Sequence, residues 1–126
     1  MKKIFTEHAP KAIGPYSHAI RSGNLIFCSG QTPLNPQTML IEGATVTEQT
    51  NLVLSNLETV LKAEGCNRSH IIKTSVFLKN FADFEKMNKA YESFFGDHKP
   101  ARTTVEVSRL PKDALVEIEC VAEVPS

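Results

Sequence analysis

Pro100-Ala101-Arg102-Thr103-Thr104-Val105-Glu106-Val107-Ser108-Arg109-Leu110-Pro111-Lys112-Asp113-Ala114-Leu115-Val116-Glu117-Ile118-Glu119 reads as strand, turn, strand. β-Branched Thr103, Thr104, Val105 and Val107 favour the extended chain, and Pro111-Lys112-Asp113 supplies a turn. The return strand continues through Cys120, Val121 and Ala122. Alternation puts Val116, Ile118, Cys120 and Ala122 on one apolar face, which requires a core. The other face carries Leu115, Glu117, Glu119 and Val121, two carboxylates between aliphatic side chains. Arg102 stands just ahead, on an approach stiffened by Pro100. A guanidinium near a half-buried carboxylate can bind an anion and position a water beside it. A surface arginine with a salt-bridged sheet edge is the plainer alternative.

Working outward, the chain's 126 residues are enough for one domain with its own core, and residues 1–126 are expected to form a single domain. The formal net charge is zero, so no long-range attraction to nucleic acid or anionic membrane is expected. Met1-Lys2-Lys3 is followed by no apolar run of signal-peptide type, and no stretch is long enough to cross a membrane. Cys28, Cys66 and Cys120 are odd in number and far apart, which fits neither a disulfide framework nor a metal pair. Cytoplasmic localisation with reduced thiols is the expectation. His8, His18, His70 and His98 lack ligand spacing, so no metal site is expected.

Upstream, Lys3-Ile4-Phe5 is a short candidate strand. Ala9 to Ser17 is too rich in proline and glycine for a regular element, and Gly14-Pro15 fixes the backbone ahead of Tyr16. Tyr16 can contact a ligand from this stiff loop or simply pack its ring. His18–Arg21 and Leu25–Ser29 form a hairpin around Ser22-Gly23-Asn24. The continuously apolar second strand is expected to be central and covered on both faces. It ends at Ser29-Gly30-Gln31, where the glycine allows a close approach by backbone or ligand.

Thr45 and Glu48 match a capping box, predicting a helix from there to about Glu64 with Gly65 as its stop. His70–Leu78 is a strand with Ile72, Thr74, Val76 and Leu78 on one face and Ile71, Lys73, Ser75 and Phe77 on the other. Asn80 is expected to cap a second helix whose Phe84, Met87, Tyr91, Phe94 and Phe95 form a core stripe, with Asn88 beside it. The order predicts an α+β domain: a mixed β-sheet with two helices packed on one face. The second sheet face carries Phe77, Leu115 and Val121 beside Lys73, Glu117 and Glu119, and no third helix remains to cover it. Burial against copies of the same chain resolves this and places polar pockets between subunits.

The motifs Ile13-Gly14-Pro15-Tyr16-Ser17, Ser29-Gly30-Gln31, Lys73 to Leu78, Asn88 to Phe95, and Pro100 to Glu119 together resemble the reactive intermediate deaminase family, RidA, also called YjgF. The likeness spans essentially the whole chain. It implies a chorismate-mutase-like fold and a homotrimer with a central barrel-like core and clefts between subunits. It implies hydrolytic deamination of 2-imino acids and enamines, such as 2-iminobutanoate and 2-iminopropanoate, to 2-oxo acids and ammonia. The family's substrates are released by PLP-dependent dehydratases, and no cofactor is implied. By position, Arg102 would grip the substrate carboxylate, Glu117 would hold and help activate the attacking water, and Tyr16 would close the cleft. Gly30 and Thr104 would offer backbone groups, with Ser29 and Asn88 lining the site. Many relatives carry cysteine where this chain has Thr104. Two alternatives stay open: a non-catalytic ligand-binding trimer or chaperone-like partner, and an RNA-acting translation inhibitor. Zero net charge, four arginines and no tryptophan argue against the last.

Overall fold

Six strands form one sheet in the order β1-β2-β3-β6-β4-β5. In the computed structural model, which describes residues 1–125, these are β1 Lys2–Ile4, β2 Ala19–Ser22, β3 Leu25–Gln31, β4 Ile71–Leu78, β5 Ala101–Glu106 and β6 Val116–Glu123. Helices α1 (Val46–Lys62) and α2 (Phe84–Phe95) pack on the same face of the sheet. Strand β5 runs parallel to β4 and every other pairing is antiparallel, so the sheet is mixed. The parallel pair exists because α2 carries the chain back between β4 and β5.

The core lies between this sheet face and the helices. Ile26, Val76, Leu78, Val116, Ile118 and Ala122 from the sheet meet Val53, Leu54, Leu57 and Leu61 of α1 and Met87 of α2, all essentially without exposure. The start of α1 follows the sequence expectation in detail. The Thr45 hydroxyl accepts from the Glu48 N–H, and the Glu48 carboxylate accepts from the Thr45 N–H. Gly65 closes the turn after α1 with φ of 72°, a left-handed conformation that costs glycine little.

Four local expectations are corrected. Ile71, not Ile72, faces the core, because the β4–β6 register shifts between Ile71 and Lys73. That irregularity adds a residue and leaves Ile72 43% exposed. Asn80 does not cap α2 with its side chain; a 3-10 turn, Phe81–Asp83, intervenes. The Phe81 N–H donates instead to Glu106 Oε1 at 2.7 Å. Leu115 precedes β6 and packs against the core, anchored by its N–H donating to Gln49 Oε1 at 2.8 Å. Finally, β3 is interior to the sheet but covered on one face only, and its Phe27 is 46% exposed.

The uncovered face carries chemistry. Phe27 stands opposite Val121, Phe77 opposite Glu117, and Ser75 opposite Glu119. An apolar patch and two carboxylates therefore share a face that no helix covers among the described residues.

Candidate functional site

The guanidinium of Arg102 is held by one face of α2. Phe84, Asn88 and Tyr91 fall at i, i+4 and i+7, so they share a side of the helix. Arg102 Nη1 donates to Asn88 Oδ1 at 2.7 Å. The Arg102 Cζ lies 4.8 Å from the Tyr91 ring centroid and 5.6 Å from that of Phe84. Among the described residues no carboxylate lies within 4.0 Å of its nitrogens. A half-buried arginine in this position keeps N–H groups for an external anion. Asn88, Tyr91, Glu92, His98 and Lys99 line the adjoining cavity of about 400 Å³.

Glu117 occupies a second cavity, of about 480 Å³, with Ser29, Gly30, Tyr16, Ile13 and Glu119. The register between β3 and β6 shifts between Cys28 and Gln31, and Gly30 sits within that irregularity. A Cβ on Gly30 would fall 3.0 Å from Glu117 Cδ and closer still to Oε2. Space, not dihedral angle, favours glycine here: a methyl would have to displace the Glu117 carboxylate. Burial pushes the Glu117 carboxyl above the usual carboxylate range, and the charge of Glu119 adds to the effect. Ser29 is structural as well as lining: its Oγ donates to the Ser17 carbonyl at 2.7 Å, and its N–H donates to the His18 carbonyl at 3.0 Å. These bonds tie the Tyr16 loop to the end of β3. Tyr16 itself is exposed, and its hydroxyl accepts from the Ile13 N–H at 3.4 Å.

The expected residues therefore fall into two groups. Arg102 and Asn88 meet; Glu117, Gly30, Ser29 and Tyr16 meet; the two groups line separate cavities. The register explains the separation. Arg102 pairs with Thr74 and Thr104 with Val76, both on the helix-covered face, whereas Glu117 alternates with Val116 and Ile118 and faces the other way. Thr104 is half-buried on the Arg102 face, and its Oγ1 is buried with no hydrogen-bond partner. Since β5 is the sheet edge, backbone groups on its outer side remain unpaired by β4. Tyr91 and Phe84 were expected to act only as core; their helical spacing around Asn88 was the available signal. Among the described residues no cluster of His, Cys, Asp or Glu could hold a metal ion. Among the described residues no helix is long and apolar enough to cross a membrane.

Fold and site together define an α+β domain that carries a guanidinium half-site and a carboxylate half-site on opposite faces of one mixed sheet. The chain belongs to the family described as endoribonuclease L-PSP, the YjgF/RidA family, whose model matches residues 6–124. A RutC family protein of Pyrococcus horikoshii is 52% identical over 119 residues, covering 94% of each chain. An Escherichia coli protein named 2-iminobutanoate/2-iminopropanoate deaminase is 46% identical over 124 residues, covering 96% of each. The crystal structure of E. coli TdcF with bound serine superposes with a TM-score of 0.94 at 41% identity, covering 99% of this chain and 100% of that one. The α+β fold read from the sequence is thus the fold of the family's solved members.

Proposed function

We propose that this chain hydrolyses 2-imino acids and their enamine tautomers to 2-oxo acids and ammonia, with 2-iminobutanoate and 2-iminopropanoate as substrates. The observation that carries the reading is a matched pair: among the described residues, a guanidinium with no carboxylate against it and a half-buried carboxylate with no cation against it, on one chain. The deaminase name of the E. coli relative supports it. The serine held by TdcF is a small amino acid whose carboxylate is the group an arginine fork would grip.

The two half-sites face opposite ways, so one chain cannot bring them together. A homotrimer that stacks the uncovered sheet faces inward would set Arg102 of one copy against the Glu117, Gly30 and Tyr16 of the next. The exposed Phe27 and Ile72 supply apolar surface for such contacts. In this site Arg102 binds the substrate carboxylate and Glu117 holds a water against C2. Glu117 takes a proton from that water as its oxygen bonds to C2 and the C=N π pair moves to nitrogen. Starting from the protonated imine, this leaves an amine on C2; Glu117 returns its proton to that nitrogen, which departs with its bonding pair as ammonia, while the hydroxyl proton passes to the Glu117 carboxylate and C=O forms. Tyr16 and Ser29 wall the Glu117 side, and Thr104 offers backbone groups beside Arg102. Each step uses only these side chains and water. A positioned carboxylate contributes about 10²–10⁴-fold, enough for an imine that already hydrolyses unaided. PLP-dependent dehydratases, which release such imines, are the functional partners.

The test couples a threonine dehydratase to this protein and follows the release of 2-oxobutanoate and ammonia. The expected result is acceleration by wild type and a loss of about 10²-fold in Arg102→Ala, the cost of about 3 kcal/mol for a bidentate charged contact. A folded protein that gives no acceleration ends the deaminase reading. Cleavage of RNA by the same preparation would favour the family's other description, for which the zero net charge offers no electrostatic footprint.

A further inference from the structure

We infer that Thr74 and Tyr91 form a positioning element that sets the plane of the Arg102 guanidinium. The inference rests on the reading of Arg102 as the carboxylate clamp and adds to it two residues from the core.

Asn88 fixes only one guanidinium nitrogen, through a single bond at 2.7 Å. One hydrogen bond leaves the fork free to turn about that contact. The Tyr91 ring restricts that turning, with its centroid 4.8 Å from Cζ and that of Phe84 farther off at 5.6 Å. That ring restrains the fork only if it is itself held. Its hydroxyl makes a 2.7 Å hydrogen bond with Thr74 Oγ1 inside the core. Thr74 has no exposure, and as a β-branched residue it is stiff at χ1. Thr74 is also the register partner of Arg102 across β4 and β5. The contacts therefore close a ring: from Arg102 across the strand pair to Thr74, through the Tyr91 hydroxyl to its ring, and back to the guanidinium.

Stability alone gives little reason for this polar pair. A phenylalanine and a valine of the same shape would fill the space, and replacing both partners of a buried neutral hydrogen bond is often nearly neutral. What the apolar pair would lose is the directional tether on the ring, leaving its tilt to packing against Phe95. A two-point carboxylate grip depends on that direction more than on the presence of the charge.

The experiment compares Tyr91→Phe, Thr74→Val and the double variant with wild type. One readout is the ¹⁵N NMR line shape of the Arg102 guanidinium, which reports its rotation without any substrate. The other is the steady-state hydrolysis of 2-iminobutanoate. The guanidinium should rotate about tenfold faster in each variant, the equivalent of one hydrogen bond. KM should rise about tenfold with kcat within about twofold, because a carboxylate grip is made equally in ground and transition states. The double variant should match the singles, since the pair acts as a unit. Thr74→Ser, which keeps the hydroxyl but loses the β-branch, should fall between wild type and Thr74→Val in both readouts. Thr50→Val, which removes a buried hydroxyl elsewhere in the core, should change neither readout. Wild-type rotation and KM in all three variants would overturn the inference. So would a rise in KM that tracks a fall in melting temperature. If wild type fails to hydrolyse the imine, the deaminase reading falls alone, and the NMR comparison still decides the role of the pair.

Discussion

Gly30→Ala tests the carboxylate half-site with the smallest possible change. The added methyl carbon would stand 3.0 Å from Glu117 Cδ and 3.2 Å from its Cγ, and it would overlap the nearer carboxylate oxygen. No backbone atom is among these neighbours, and Gly30 does not use a left-handed φ. The collision therefore falls on the end of a side chain that can swing aside, leaving the strand in place. The carboxylate must move on the order of 1 Å, and a misplacement of that size costs roughly 10²-fold in rate. Folding should suffer little, with a fall in melting temperature of no more than a few degrees, the equivalent of about 1 kcal/mol. The assay is 2-oxobutanoate release in the dehydratase-coupled reaction, with the melting temperature of the same samples. Adding Glu117→Asp to Gly30→Ala withdraws the carboxylate by one methylene and should recover part of the loss. Wild-type kcat/KM in Gly30→Ala would refute the assignment of Glu117, because no catalytic carboxylate could tolerate that methyl. Loss of fold would refute the reading that only a side chain stands in the way.

Two further outcomes concern pH and the frame of the core. The carboxyl of Glu117 is raised by burial, so below the ordinary carboxylate range it is protonated in both the folded and the unfolded chain and carries no penalty. As pH rises through its raised folded value, the unfolded chain ionises first and the folded state loses stability. Measured on dissociated chains, Glu117→Gln should therefore melt higher than wild type at pH 7 and equal to it near pH 4; in the proposed trimer the neighbouring copy's Arg102 stands against Glu117 and should shrink or reverse that difference. Glu58 behaves in the opposite sense: it accepts from Arg68 Nη2 at 2.7 Å, Nε at 2.9 Å and the Arg68 N–H at 2.9 Å, which hold it below the usual carboxylate range. Its contribution is present at neutral pH and lost as pH falls, so Glu58→Gln should cost about 1–2 kcal/mol at pH 7 by urea unfolding, the low end because the Arg68 side chain is 43% exposed.

What the sequence makes legible follows from what local rules can see. The capping box at Thr45, the period of α1, the strand, turn and strand around Pro111 and the order of elements are all short-range signals and are found as read, but the two strands around Pro111 do not pair, because β4 lies between them. Irregularities are not short-range. The shift that turns Ile71 inward depends on how β4 meets β6, and nothing within Ile71-Ile72-Lys73 distinguishes it from plain alternation. Asn80 has the residue type of a cap, yet the 3-10 turn after it leads the chain into α2 by another route.

The site divides along the same line. Alternation within β6 sets Glu117 and Glu119 alike opposite the core, but it does not tell the half-buried Glu117 from the exposed Glu119. The face of Arg102 could not be read by alternation, because Ala101 to Glu106 mixes polar and apolar side chains on both sides of an edge strand. Its face is decided by the parallel register with β4 and by two aromatic rings of α2. The same register that gives Arg102 its aromatic seat also puts the sheet between it and Glu117. Under the proposed function Arg102 and Glu117 act together only where the uncovered face meets another copy, and the exposed Phe27 supplies apolar surface for that proposed contact.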